Sequence, residues 1–294
     1  MRRALPLLLT FLVAPYALVG AAQQVGVGRS LGEWLAAVGA SVERYYARAQ
    51  SVICTETVTV QALGYDLMPD ATASRRLVFE LRVAWDPPEG GGVPEARVQR
   101  ELIRVNNRAP RPKDKPSCTD PTPVAPDTLE MLLPAKQGDY IFTLAGPGRV
   151  NGRQVVMLDY RSRQAGPIAV KAHEDREDCY QVDMPGRTRG RVWIDTDTAN
   201  VLRLDERLAG FVDVRVPGRD RKMKASLDVT FERLDSSTVY RPVVFTDPEE
   251  TLLLPASSDS VAVVRNSGAP RQRTTERFSN YRRFTTEGRI VQDE

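Results

Sequence analysis

The feature of the sequence that most constrains its fold is an alternation of apolar and other residues that recurs along the chain. Apolar residues occupy every second position over 77–85, namely Leu77, Phe79, Leu81, Val83 and Trp85. Side chains of a strand point to opposite faces with a period of two, so this pattern predicts a strand with one buried face. The pattern returns over 202–208 and 223–231, and further strands are predicted near 52–62, 97–106, 139–146, 149–161, 190–195, 211–216, 239–246, 259–265 and 274–284.

One long helix is predicted before the first strand. Ser30 and Glu33 have the spacing of a capping box, and apolar residues then recur at steps of three and four until about Gln50. A short helix is predicted after Pro126, ending at Pro134. Strands joined by short turns, without alternating long helices, predict an α+β fold with a single antiparallel sheet.

A sheet of this size is expected to curve. About ten strands at about 4.8 Å each give a wide twisted sheet, and such sheets curl. We therefore expect a strongly curved half-barrel whose concave face is covered by the long N-terminal helix and by short helices. The apolar residues expected to line the resulting trough are Trp34, Leu35, Val38, Tyr45, Leu77, Phe79, Leu81, Val83, Trp85, Leu227, Val229 and Phe231.

An apolar trough suits the acyl chain of a lipid. Each CH2 group that leaves water for an apolar site contributes about 0.8 kcal/mol and needs no polar partner. The alternative is a trough filled by the protein's own side chains, namely Trp34, Leu35, Tyr45 and Tyr46. The sequence pattern does not decide between the two.

The first residues have the order of a secretory signal peptide. Arg2 and Arg3 precede an apolar run, and Gly20, Ala21 and Ala22 supply the small residues of a cleavage site near Ala22. An uncleaved membrane anchor is the alternative reading. No later apolar run approaches the ~20 residues that a spanning helix needs. We expect a signal peptide over 1–22 and a single periplasmic or secreted domain over 23–294.

Export bears on the three cysteines. In an oxidising compartment two of them can pair, and three pairings are conceivable. Cys118 and Cys179 lie in polar stretches typical of loops, whereas Cys54 alternates with Val52 and Glu56 in a predicted strand. We therefore favour a Cys118–Cys179 disulfide over the other pairings, with three free thiols as the remaining alternative.

The net charge of +3 comes from 41 Lys and Arg residues against 38 Asp and Glu residues. Loss of Arg2 and Arg3 with the signal peptide would leave 39 positive residues, a net charge of +1. The densest basic stretch, 219–224, reads as a solvated hairpin or as a patch for anionic head groups. This small net charge does not favour a nucleic acid as the partner.

Catalytic motifs are scarce. His173 is the only histidine and lies in a charged stretch, and neither a G-x-S-x-G elbow nor a phosphate-binding loop occurs. Asp195, Asp197 and Asn200 partly match a calcium loop, but the missing glycine and terminal glutamate favour a hairpin turn. We expect a protein that is not an enzyme and that needs neither a metal nor a cofactor.

The stretch from Gly190 to Asp205, GRVWIDTDTANVLRLD, resembles the central hairpin of the LolA/LolB-like superfamily of periplasmic lipoprotein-sorting proteins. The order of signal peptide, long helix, antiparallel strands and short helices is similar as well. The resemblance implies a half-barrel that holds acyl chains under a lid of helices. The long stretches 109–125 and 163–188, expected to be loops, and the three cysteines depart from the short carriers.

Three functions follow from these observations. The leading hypothesis is a non-enzymatic carrier that binds a lipid or lipoprotein, acts as a monomer and touches the membrane or an envelope protein only transiently. The second is an envelope sensory or scaffold module that binds a protein partner through the same fold. The third, least favoured, is a hydrolase that uses carboxylates.

Overall fold

The structure is a computed structural model that describes residues 28–49, 51–86, 95–114, 118, 120, 126–173, 179–217, 227–246 and 249–283. The predicted signal peptide and its cleavage site near Ala22 lie outside these residues, as does the basic stretch 219–224. Within the described part of the chain, no helix is long and apolar enough to cross a bilayer.

The long helix begins and ends where the sequence predicts. Helix α1 spans Leu31–Arg48, and its capping box is present. The Ser30 amide donates to Glu33 Oε2 at 2.6 Å, and the Glu33 amide donates to Ser30 Oγ at 3.3 Å. These two bonds satisfy amides of the first turn that have no partner inside the helix. The predicted short helix is a 3-10 helix over Pro126–Leu132, and a second one spans Gln137–Asp139.

The strands form one large antiparallel sheet, which confirms the α+β class. Its order is β3-β2-β1-β13-β12-β11-β9-β8-β5-β4, with β10 also paired to β11 and with a separate β6–β7 hairpin. The sheet is open, with β3 and β4 at its edges. The strands are β1 Val52–Ala62, β2 Arg75–Asp86, β3 Glu95–Val105, β4 Tyr140–Val150, β5 Arg153–Ser162, β6 Ala169–Ala172, β7 Tyr180–Asp183, β8 Thr188–Asp195, β9 Val201–Leu208, β10 Val212–Val216, β11 Leu227–Thr246, β12 Glu249–Arg265 and β13 Arg271–Arg283.

One face of the sheet, which we call the inner face, packs against α1. The main apolar cluster joins α1 and the 3-10 helix Pro126–Leu132 to the inner-face residues of β4, β5, β8 and β9, and to the ends of β1, β2, β11 and β12. Val38 and Leu132 are fully buried at its centre. This apolar burial fixes α1 to the sheet.

A second layer covers the inner face over β10 and the first residues of β11. The β6–β7 hairpin packs on Val214 and Val229 of strands β10 and β11. A disulfide joins Cys179, directly before β7, to Cys118 in the segment after β3, which confirms the favoured pairing. Asp120 in that segment is buried and forms an ion pair with Arg75 of β2 at 3.1 Å. The disulfide therefore links the two parts of this second layer.

Two parts of the sequence interpretation are wrong. The segments 223–231 and 239–246 do not form separate strands: Leu227–Thr246 is one strand, and its partner β12 is longer than the predicted 259–265. The stretch 163–188, expected to be a loop, contains the β6–β7 hairpin. Both errors arise because Ser, Asp and Thr side chains of 235–238 and the polar residues of β7 look like turn residues, although strand pairing overrides local propensity.

Candidate functional site

A cavity of ≈ 50 Å³ lies between the C-terminal half of α1 and the inner face. Tyr45 of α1 forms one wall, and the opposite wall comes from strands β1, β2, β11, β12 and β13. Burial raises the pKa of Tyr45 above its usual value. The lining is mainly apolar and consists of Tyr45, Ala49, Val52, Cys54, Leu81, Val83, Trp85, Thr238, Leu254, Pro255, Ser258, Phe278 and Tyr281. We call it the α1 cavity.

A second cavity, of ≈ 90 Å³, lies on the other flank of the same helical turns. Tyr45 borders both cavities. Across this second cavity, Ser41 Oγ donates to Asn200 Oδ1 at 2.6 Å. Protein interiors have few voids larger than a water molecule. The C-terminal half of α1 is therefore incompletely packed on both sides.

Two buried glutamates and a largely covered arginine lie on the inner face next to the α1 cavity. Arg100 Nε donates to Glu56 Oε2 at 2.7 Å, and Arg100 Nη2 donates to Glu56 Oε1, so the pair is bidentate. The Arg100 guanidinium also lies 4.0 Å from the centre of the Phe79 ring. Glu276 is buried beside this pair. We call Glu56, Arg100 and Glu276 the charge cluster.

Glu276 is the unbalanced member of the charge cluster. Its Oε1 atom has no hydrogen-bond partner among the described residues. Burial, and next the charge of Glu56, raise the pKa of Glu276 to about 8, while Arg100 acts in the opposite direction. The raised pKa favours the neutral form of the carboxyl, which lets it lie buried beside a second carboxylate.

Cys54 connects the charge cluster to the α1 cavity. It lies in the wall of the cavity, two residues before Glu56 on the same face of β1. Burial, and next the charge of Glu56, raise the pKa of the Cys54 thiol to about 12. With Cys118 and Cys179 in a disulfide, Cys54 is the free cysteine, and it is present as the thiol rather than the thiolate.

The structure divides the predicted trough residues into separate groups. Trp34, Leu35, Val38, Tyr45, Val83 and Trp85 lie in the main cluster with α1, whereas Leu81 packs with Cys54 and Phe278. Leu77 and Phe79 pack with Val58 and Val60, beyond the charge cluster. Leu227, Val229 and Phe231 pack under the β6–β7 hairpin. That these residues contact a ligand remains a prediction.

Side chains of α1 occupy most of the inner face beneath it. Trp34 and Tyr46 are each 2% exposed, and Tyr46 packs edge-on against Trp85 at a centroid distance of 4.6 Å. Trp34 Nε1 is buried and has no hydrogen-bond partner among the described residues. In this conformation the helix itself takes the place that an acyl chain would need.

The sequence reasoning missed the charge cluster, Phe278 and Tyr281. The signal was present in the alternation itself. Glu56 falls in phase with Val52, Cys54 and Val58, and Glu276 falls in phase with Phe278. A charged residue at a position that the period assigns to the buried face is a candidate for a special role.

Comparisons with known proteins find similar solved structures but no family. No protein-family model matches the chain, and no curated protein matches it. The chain is similar to a putative outer membrane lipoprotein-sorting protein domain from Vibrio parahaemolyticus, at 12% identity and a TM-score of 0.39 over 85% of this chain and 92% of the other.

Two further structures are similar at comparable levels. A DUF1329 family protein from Desulfovibrio piger ATCC 29098 has 11% identity and a TM-score of 0.40 over 86% of this chain and 92% of the other. The LolA superfamily protein NE2245 from Nitrosomonas europaea has 8% identity and a TM-score of 0.35 over 85% of this chain and 94% of the other. No role is carried over from these structures to this chain.

Proposed function

We propose that this protein is a non-enzymatic carrier that binds the acyl chain of a lipid or lipoprotein between α1 and the inner face of the sheet. The observation that carries the proposal is the α1 cavity, which is mainly apolar and lies under a helix that is incompletely packed on both flanks. An apolar lining binds a chain of CH2 groups without any polar partner.

Binding requires that α1 move. Cavities that hold small molecules have volumes of about 300–1,000 Å³, and the α1 cavity has ≈ 50 Å³. The C-terminal end of α1 is held by an ion pair between Arg48 and Glu250 at 3.0 Å and by Arg283, which donates to the Arg48 carbonyl oxygen. Outward movement of this end withdraws Tyr45 and uncovers Leu81 and Trp85, and the acyl chain then replaces the helix on the same apolar surface.

The wider setting belongs to the same proposal. Residues 23–294 form one domain whose sheet curls into a half-barrel, with α1 and the short helices on its concave face. Residues 1–22 direct export to the periplasm or the medium, and the Cys118–Cys179 disulfide supports an oxidising compartment. The carrier works as a monomer and meets the membrane or an envelope protein only while it exchanges its cargo.

The charge cluster does not favour the hydrolase hypothesis. Glu56 is 0% exposed and is held by both nitrogens of the Arg100 fork. A carboxylate that acts on a substrate must come within hydrogen-bond distance of it. Glu56 has neither the exposure nor a free position for such a contact.

Photo-crosslinking tests the proposal directly. The purified full-length protein is mixed with a fatty acid that carries a diazirine near its methyl end, irradiated, digested and analysed by mass spectrometry. We expect adducts on residues that line the α1 cavity, in the peptides around Cys54, Leu81 and Phe278. Failure to bind the fatty acid, or adducts confined to the opposite face of the sheet, would contradict the carrier function.

Two matched variants sharpen the result. Val83→Trp fills the α1 cavity and should reduce the yield of adducts at least tenfold. Val78→Trp makes the same change on the opposite face of the same strand and should leave the yield unchanged. Retention of an envelope protein in a pull-down, with no lipid bound in either assay, would favour the partner-binding module instead.

A further inference from the structure

Three arginines stand in a row across the face of the sheet opposite to α1. Arg161 on β5 is the direct cross-strand neighbour of Arg189 on β8, which is the direct neighbour of Arg207 on β9. Neighbouring strands lie about 4.8 Å apart, so the row spans about 10 Å. All three side chains are exposed, and none has an ion-pair or hydrogen-bond partner among the described residues.

In the adjacent row of the same three strands, positive and negative side chains alternate. There Asp159, Arg191 and Asp205 are cross-strand neighbours, so the signs alternate. Arg191 Nε donates to Asp159 Oδ1 at 2.5 Å, and Asp205 accepts from Arg203 at 2.8 Å. Like charges directly opposite one another destabilise a sheet. The row of three arginines therefore lacks the counter-charge that its neighbour has.

The row borders a cleft large enough for a small ligand. The cleft has a volume of ≈ 520 Å³, within the range of ligand sites. Ile141 and Trp193 give it apolar surface. The Arg203 guanidinium lies 4.7 Å from the Trp193 ring centre. Asp159 and Asp205 also line the cleft, but each is paired, with Arg191 and with Arg203 respectively. The cleft thus combines three arginines without an ion-pair partner among the described residues with an apolar wall.

We propose that this cleft binds a phosphate group, with Arg161, Arg189 and Arg207 as its ligands. A guanidinium pairs with two phosphate oxygens at once, and three of them match the several oxygens and the double negative charge of a phosphate monoester. The group belongs either to a small soluble phosphate ester or to a lipid head group, and the wall of Ile141 and Trp193 accepts the carbon part. The site lies on the face opposite to the proposed acyl-chain site and does not depend on it.

The experiment measures binding of two probes to the full-length protein at low ionic strength. Glycerol 3-phosphate is titrated by isothermal titration calorimetry, and vesicles of phosphatidylcholine with 20 mol% phosphatidic acid, roughly one charged lipid in five, are tested by co-sedimentation. Binding of glycerol 3-phosphate identifies a soluble ester as a sufficient ligand. Binding of the vesicles alone identifies the head group of a lipid.

Two variants with the same change in net charge separate a site from general attraction. Arg189→Gln removes the middle of the row and should weaken binding of the active probe at least tenfold. Arg277→Gln removes an exposed arginine from β13 and should change binding less than twofold. The proposal is overturned if neither probe binds, or if both variants weaken binding equally. A circular dichroism spectrum that matches the wild type confirms that each variant is folded.

Discussion

At the level of single residues, the buried carboxyl of Glu276 makes stability depend on pH. Its ordinary pKa of 4.5 is raised to about 8 in the folded protein. Between these values the folded state holds one more proton than the unfolded state, so the free energy of unfolding decreases as pH rises through this window.

We expect Glu276→Gln to remove this part of the pH dependence. A pKa shift of one unit corresponds to about 1.4 kcal/mol, so the loss of stability between pH 5 and pH 8 should be smaller in the variant by more than about 1 kcal/mol. Urea unfolding at the two pH values measures the difference. Glu101→Gln, at an exposed position on β3, is the control. The same slope in Glu276→Gln as in the wild type would show that Glu276 is ionised throughout.

Cys54 gives a second prediction at this scale. Thiol reagents attack the thiolate, and burial raises the pKa of Cys54 to about 12. We expect no labelling by a maleimide at pH 7.5 in the native protein and one label per chain in denaturant. Cys54→Ser should give none in either condition. Rapid labelling of the native wild type would mean that α1 already stands away from the α1 cavity.

At the scale of elements, the disulfide is expected to stabilise the second layer of the fold. Cys118 and Cys179 are separated by 61 residues, and closing a loop of this length stabilises a protein by roughly 2–4 kcal/mol. Cys118→Ser should lower the free energy of unfolding by that amount, and urea unfolding measures it. The same variant with reductant present is the control, since reductant should have no further effect. A loss below about 0.5 kcal/mol would mean that the segment after β3 is held by its other contacts.

The row of three arginines gives an element-scale prediction that needs no ligand. Because like charges face one another across β5, β8 and β9, Arg189→Gln should raise the free energy of unfolding by about 0.2–1 kcal/mol at low salt. Added salt screens this repulsion and should reduce the gain. Arg277→Gln is the matched control. Destabilisation by Arg189→Gln would show that other groups already offset the repulsion between the three arginines.

At the scale of the whole molecule, both layers on the inner face share the same strands. Strand β11 carries Val229 under the β6–β7 hairpin and Tyr240 under α1. The proposed single domain should therefore unfold as one unit.

Leu132→Ala tests this cooperativity. Leu132 is 0% exposed, and such truncations cost about 2–5 kcal/mol. We expect tryptophan fluorescence and far-ultraviolet circular dichroism to report the same lowered midpoint, since Trp34 lies in α1, Trp85 packs against α1 and the strands run through the whole sheet. Val214→Ala, under the hairpin, should also move both signals together. Two separate transitions in either variant would divide the chain into two units.

The sequence is sufficient to predict the fold class, α1 with its cap and the disulfide. Each of these depends on local signals: a period, a capping box, and polar surroundings of two cysteines. The alternation places Glu56 and Glu276 at buried positions, but their meeting with Arg100 could not be predicted, because the three residues come from three strands that meet only once the sheet has formed. The same holds for the row of three arginines, since cross-strand register cannot be read from any one strand.

Strand β11 contains one extra residue that interrupts the regular alternation of its side chains. Phe231 pairs with Val264 and Arg233 with Val263, so Glu232 is an additional residue at a β-bulge. Loss of one residue within a strand ordinarily turns every later side chain to the other face. Loss of Glu232 would instead restore the regular alternation and leave Thr238 facing α1. This strand can therefore lose one residue at the bulge and keep each side chain on its present face. Loss of a residue between Arg233 and Thr238 would turn the later side chains to the other face.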